Sequence, residues 1–184
     1  MDLIDQLGQL ERESRKRGIP IIGAEKGRWL LSFIEQHRPK QILEIGTAVG
    51  YSGIILGSAG GHLTTIDKNE KEMKEAERNF AQFKIKHHCL FGEGVALLSS
   101  LASMKYHSSS FDLIFIDFAK KQYQAILDDC LTLIKDGGYI MADNITKEDC
   151  RDFKEEICDH PQLKTEIINI GDGLSCSRVV KDDT

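Results

Sequence analysis

Along this chain, short apolar runs alternate with longer stretches in which apolar residues return every third or fourth place. An unbroken apolar run suits a strand covered on both faces, whereas the wider spacing suits an amphipathic helix. Residues 41–45, 62–67, 87–91, 111–117 and 139–142 form the runs. Residues 24–37, 51–58, 69–83 and 93–102 are periodic, as is a segment carrying Tyr123, Ile126, Leu127, Cys130 and Ile134. Strict alternation of the two predicts βαβ units that build one parallel sheet. Residues 3–16 add an N-terminal helix, and 105–110 read as a polar connection.

The punctuating residues agree with this reading. Pro39 ends the second helix at Arg38, because a residue before proline avoids helical angles. Gly137-Gly138 should stop the helix that follows Tyr123. Thr146 is placed to cap a helix reaching Cys158, with Pro161 blocking its continuation. Beyond that point, 163–170 and 174–180 read as strands joined only by Gly171-Asp172-Gly173. A parallel crossover needs about a dozen residues or more, so this last pair must be an antiparallel hairpin. The expected fold is α/β: a Rossmann-like, doubly wound, seven-stranded sheet of five parallel strands plus a C-terminal antiparallel hairpin, with helices on both faces.

At 184 residues the chain reads as a single domain over 1–184, with 1–20 as an N-terminal helix and linker. No internal repeat or low-complexity tract interrupts it. The 24 basic and 29 acidic residues leave a net charge of -5, so no domain-wide positive field draws in nucleic acid. Arg12, Arg15, Lys16 and Arg17 form a local basic cluster that reads as a solvated helix face. Neither a secretory leader nor a membrane-spanning run is evident, so a cytoplasmic protein with no membrane partner is expected. Five cysteines without C-x-x-C spacing fit reduced, buried thiols. His87 and His88 point to opposite faces of their strand and make a poor metal pair.

The chemistry concentrates first at Glu44-Ile45-Gly46-Thr47-Ala48-Val49-Gly50-Tyr51-Ser52, with Asp67 closing the next strand. An acid, a glycine turn and a second acid describe a nucleoside pocket at the top of a parallel sheet. A dinucleotide turn reads G-x-G-x-x-G so that backbone can approach a pyrophosphate. Here only Gly46 and Gly50 are present, and the Glu44 carboxylate would repel a pyrophosphate. S-adenosylmethionine, with an amino group and no phosphate, suits the site, and Asp67 is placed for the ribose hydroxyls. The plain alternative is that the two glycines merely turn a tight corner.

A second set of landmarks narrows the reading. Gly23-Ala24-Glu25-Lys26-Gly27, the Glu44 to Ser52 segment, Phe111 through Asp117, Lys120, Tyr123, Asp143-Asn144 and Gly171-Asp172-Gly173-Leu174 recur in that order. Together they resemble the cation-dependent class I S-adenosylmethionine O-methyltransferases of the catechol and caffeoyl-CoA type. The terminal hairpin resembles that fold too, where a nicotinamide domain would continue with another parallel strand. The resemblance implies S-adenosylmethionine contacts at Ile22, Glu44, Gly46, Thr47, Gly50, Tyr51, Ser52, Asp67, Lys68, Glu93, Gly94 and Asp117. Ser52 would hold the methionine carboxylate, and Glu93 and Gly94 the adenine, with helix capping an alternative for Glu93. It implies a divalent cation, Mg²⁺ by preference, on Asp117, Asp143 and Asn144, whose oxygens suit a hard ion. Lys120 is then the general base, a role that requires the free amine.

Each of these residues also has a plainer reading: Asp117 as a strand-end acid, Asp143-Asn144 as an ordinary turn, Lys120 and Lys121 as surface lysines, and Tyr123 as core. Besides a short N-terminal extension, the chain departs from the family pattern in two places. Phe118-Ala119 stand where a second polar residue is often found. The segment after Asn144 enters a helix without the usual aromatic-containing insertion, which leaves an open, shallow acceptor site. The expected acceptor is a small hydroxylated molecule resembling catechol. The rivals are tRNA carrying a hydroxylated uridine, a non-catalytic nucleoside-binding domain, and a nicotinamide oxidoreductase domain. A homodimer is a further expectation that the resemblance carries.

Overall fold

The computed structural model describes residues 2–104 and 109–180. Its strands are β1 (Gln41–Ile45), β2 (His62–Asp67), β3 (Lys86–Phe91), β4 (Phe111–Ile116), β5 (Ile134–Asp143), β6 (Leu163–Ile168) and β7 (Leu174–Val179). They form one sheet in the order β3-β2-β1-β4-β5-β7-β6, five parallel strands followed by the antiparallel hairpin. This is the Rossmann-like arrangement that the alternation predicted. By internal contacts the chain divides into two compact units, one ending at Gly92 and the other beginning at Glu93.

The first unit holds α1 (Leu3–Gln6), α2 (Gly8–Lys16), α3 (Gly23–His37), α4 (Tyr51–Gly57) and α5 (Glu70–Gln82) around β1, β2 and β3. The helix expected over 3–16 is divided at Leu7, which keeps near-helical angles and is fully buried. Leu30 and Ile34 of α3, Ile54 and Ile55 of α4, and Phe80 of α5 are all fully buried, as are Ile42, Leu43 and Leu63 of the strands. On α5 the buried residues Met73, Ala76 and Phe80 follow helical spacing, and Asn69 caps the helix by accepting from the Glu72 amide at 3.2 Å. Arg38 ends α3 in the left-handed conformation (φ 46°, ψ 54°), as a residue caught between a helix and Pro39 can.

The second unit holds α6 (Gly94–Ser103), α7 (Leu127–Leu133) and α8 (Arg151–Asp159) with β4 to β7. Two expectations change here. The helix expected from Tyr123 to Gly137 opens as two 3-10 turns, Lys120–Gln122 and Gln124–Ile126, and becomes α-helical only at Leu127. The three-residue step from Tyr123 to Ile126 buries both side chains equally well in the tighter turn. The glycine pair then falls inside β5, which already starts at Ile134. Pairing with β4 jumps from Phe111↔Ile134 to Leu113↔Tyr139, so Gly137 (φ 71°) and Gly138 occupy a bulge and do not end the helix.

Thr146 does not cap the next helix. Its amide is bound to Asp172 O at 3.1 Å, which docks that backbone on the β6–β7 loop, and the turn before α8 starts after Lys147. Most of the expected 105–110 connection, residues 105–108, lies outside the described residues.

Candidate active site

In the first unit the glycine turn follows from β1 and is tied to β2 throughout. Gly46 N donates to Ile66 O at 2.9 Å, and the Thr47 and Thr65 hydroxyls meet at 2.6 Å. Ala48 adopts φ 43°, and its amide donates to Asp67 Oδ2 at 2.9 Å. The other Asp67 oxygen accepts from Asn69 N at 2.9 Å. One carboxylate thus holds both the turn and the start of α5, leaving a second lone pair on each oxygen for a ligand. Gly50 (φ 85°) turns the chain into α4 against the Phe80 ring, where an added Cβ would lie 2.8 Å from Phe80 Cε1.

Glu44 is 0% exposed. Ser52 Oγ donates to its Oε1 at 2.5 Å and Thr65 Oγ1 to its Oε2 at 2.6 Å. The structure therefore joins Glu44, Thr47, Ser52 and Thr65 in one interior network, with the Ser52 hydroxyl engaged by Glu44. Tyr51 is buried, and its hydroxyl donates to Glu11 Oε2 at 3.3 Å. Burial first, then the Glu11 charge, pushes the phenol well above its ordinary value, so it stays protonated. Ile22 is half-buried at the head of α3, and Lys68 is exposed after β2. Thr65 was not anticipated from the sequence. Its signal was the pair of hydroxyl residues, Thr64-Thr65, between Leu63 and Ile66 of β2.

Phe91, 60% exposed, is the register partner of Asp67. Two members of the basic cluster are paired: Arg15 Nη2 lies 2.8 Å from Glu11, and Arg17 Nη1 lies 2.6 Å from Glu75. The hydrogen bond from Arg17 lowers the Glu75 carboxyl below its usual range.

In the second unit, Ile116 of β4 pairs with Ala142 of β5, so Asp117 and Asp143 leave the sheet side by side at its carboxyl edge. Asp143 is 2% and Asn144 9% exposed, and Asn144 takes φ 59°. Lys120 Nζ lies 2.7 Å from Asp117 Oδ1 and 5.8 Å from the centroid of the Tyr123 ring. Tyr123 is fully buried and donates to Ile116 O at 3.3 Å. Burial, then the Asp117 charge, raises its pKa so that it too remains a phenol. Tyr123 is thus a core residue that also floors Lys120.

Asn144 Nδ2 donates to Asp172 Oδ2 at 2.6 Å. Glu93 is exposed and occupies the N-cap position of α6, its backbone carbonyl accepting from Leu97 N without a side-chain capping bond; Gly94 is half-buried. Beside Lys120 lies a cavity of about 260 Å³ lined by Lys121, Gln124, Asp149, Arg151 and Phe153 among others.

Two carboxylates and a carboxamide at one sheet edge are hard oxygen donors of the kind Mg²⁺ takes, so the residues fit a divalent cation. Among the described residues no three His, Cys, Asp or Glu side chains gather as a metal cluster. Nor is any described helix long and apolar enough to cross a membrane.

The parallel sheet with its terminal hairpin, the acid-braced glycine turn and the strand-end acids define a Rossmann-like methyltransferase frame. The O-methyltransferase family model matches residues 2–180, and the chain belongs to that family. It is 27% identical to catechol O-methyltransferase of Mus musculus over 176 residues, covering 88% of this chain and 66% of that protein. It is 26% identical to caffeoyl-CoA O-methyltransferase of Citrus natsudaidai over 180 residues, covering 84% and 78%. The fold matches an O-methyltransferase of Bacillus cereus in complex with SAH at TM-score 0.84 and 24% identity, over 97% of this chain and 91% of that one. The chain spans less than two thirds of the length of several relatives, 61% for the bovine catechol O-methyltransferase and 66% for the murine one.

Proposed function

We propose that this chain transfers the methyl group of S-adenosylmethionine to a hydroxyl of a small acceptor that carries a neighbouring oxygen, with a divalent cation, Mg²⁺ by preference, on Asp117, Asp143 and Asn144. The observation that carries the reading is the pairing of Lys120 with Asp117 at 2.7 Å, just past a strand in register with the one that ends at Asp143. Family membership and relatives solved with SAH or with SAM support the donor. Catechol and caffeoyl-CoA O-methyltransferases among the relatives support a small hydroxylated acceptor.

The roles of the individual residues are those that the resemblance implies. Asp67 accepts from the ribose hydroxyls, and the turn from Gly46 to Gly50 lets the backbone come close to the nucleoside. Thr47, Tyr51, Ser52, Ile22 and Lys68 complete the donor's surroundings, and Glu93 and Gly94 serve the adenine. Glu44, buried and doubly bonded, serves the donor by fixing the turn.

A cation bound at the strand-end set would withdraw charge from the acceptor oxygen and ease loss of its proton. Lys120, as free amine, takes that proton; the oxygen forms its bond to the methyl carbon as the carbon–sulfur bond breaks, and the sulfonium leaves as a neutral thioether. The new ammonium is then received by Asp117, its partner at 2.7 Å. The rest of the rate enhancement is alignment of the two reactants. The mixed-charge cavity beside Lys120 favours an acceptor with polar substituents.

The test is transfer of labelled methyl to a panel of catechols, with bulk tRNA alongside. Activity on the catechols, lost in chelator and restored by Mg²⁺, is expected. Lys120→Ala should lower turnover by about 10²–10⁴-fold and leave S-adenosylmethionine binding intact. Turnover unchanged in chelator would remove the cation, and transfer to tRNA alone would replace the acceptor.

A further inference from the structure

We infer that Asp172, in the β6–β7 loop, is a positioning residue for the proposed cation: it dictates which end of the Asn144 carboxamide faces the ion. The inference rests on the cation reading above and extends it to a residue outside the ligand set. Asn144 has a carbonyl oxygen, which can ligate a hard cation, and an amino group, which cannot. Left alone, the carboxamide would present either end. Asp172 Oδ2 lies 2.6 Å from Asn144 Nδ2. A carboxylate can only accept, so the end of Asn144 that meets it must be the amino group. The carbonyl oxygen is thereby turned to the other side.

Asp172 is itself held firmly. Lys147 Nζ lies 2.9 Å from the same Oδ2 oxygen. The loop is also bonded to the segment after β5 through its backbone, Thr146 N to Asp172 O at 3.1 Å and Ile145 N to Gly173 O at 3.3 Å. Gly173, at φ 78°, admits no side chain there, since a Cβ would fall 2.6 Å from Thr146 Cγ2. Asn144, in a left-handed conformation at φ 59°, is thus fixed from the hairpin side by backbone and side chain together. Partners of this kind behind a ligand are worth about 10–100-fold in metal affinity.

Mn²⁺ binding by the whole chain, followed by electron paramagnetic resonance beside a thermal melt, tests this without relying on turnover. Asp172→Ala should weaken Mn²⁺ by about 10–100-fold. Asp172→Asn, whose own carbonyl can accept from Asn144, should restore most of the affinity. Lys147→Ala, which removes the ion pair and leaves the amide contact, should change it much less than Asp172→Ala. Unchanged Mn²⁺ affinity in a folded Asp172→Ala would overturn the inference and leave the cation reading standing. So would Lys147→Ala matching its loss. Should Asp172→Ala fail to fold, Asp172→Asn decides: weak binding by a folded Asp172→Asn overturns the inference. Failure of the wild type to bind Mn²⁺ would overturn the cation reading itself.

Discussion

Ser52 donates its hydroxyl to Glu44 over 2.5 Å in the interior of the first unit, while Thr65 occupies the other carboxylate oxygen. A buried carboxylate survives only when it is hydrogen-bonded, and here each oxygen accepts a short bond from a hydroxyl. Glu44→Ala would take the acceptor from the Ser52 hydroxyl and leave Thr65 with Thr47, and we expect it to cost about 2–4 kcal/mol in urea denaturation. Glu44→Gln, which keeps one acceptor oxygen and offers an amino group to a rotatable hydroxyl, should cost clearly less. Equal losses would show that the carboxylate's charge matters at this position, and neither side-chain volume nor the retained acceptor oxygen.

Gly50→Ala should destabilise by about 2–4 kcal/mol, combining left-handed strain with overpacking against Phe80. A thermal or urea melt reads the loss. Trimming the ring in the double variant with Phe80→Leu should recover the packing share only, so the two changes should be non-additive.

The thiols should separate by accessibility. Cys158 is exposed and should react first with a disulfide reagent, whereas Cys130 and Cys150 are buried and should wait for unfolding. Burial raises Cys89 from the ordinary 9.0 to about 11. The unfolded chain therefore releases this proton first as pH rises. Stability from this group is complete below pH 9 and declines as pH climbs through about 11. Urea midpoints measured on either side of that window, in the wild type and in Cys89→Ala, should show the alkaline loss shrinking in the variant.

We read residues 1–184 as one domain, which predicts a single cooperative transition. Trp29, the only tryptophan, lies in the first unit. Its fluorescence and the far-ultraviolet circular dichroism of the whole chain should report coincident urea midpoints. Two separated midpoints would mean that the units unfold independently.

Much of this was legible in the residue pattern because it was local. Apolar runs located the strands, and a three-residue link forced the hairpin. Asp117 and Asp143 could be placed at strand ends because their strands read cleanly. What stayed hidden depended on partners distant in the chain. Nothing near Glu44 announces that Thr65, on the next strand, will take one of its oxygens, so an acid that read as facing the ligand proved to be an interior brace. The glycines at 137 and 138 read as a helix stop because their local signal is the same in a bulge. Thr146 had the chemistry of a cap, but its backbone is docked on Asp172, 26 positions on, and the helical turn begins only after Lys147.

The placement of β7 bears on how the protein is made. A ribosome delivers β6 before β7, yet β7 lies between β5 and β6 and, among the described residues, is the sole sheet neighbour of β6. While residues 174–179 are still unsynthesised, β6 has nothing to pair with and the flank of β5 that β7 will cover stays open. A nascent chain paused within the β6–β7 loop would expose that flank to other strands. The loop that carries Asp172 therefore also marks the last stage at which a growing chain is most open to mispairing.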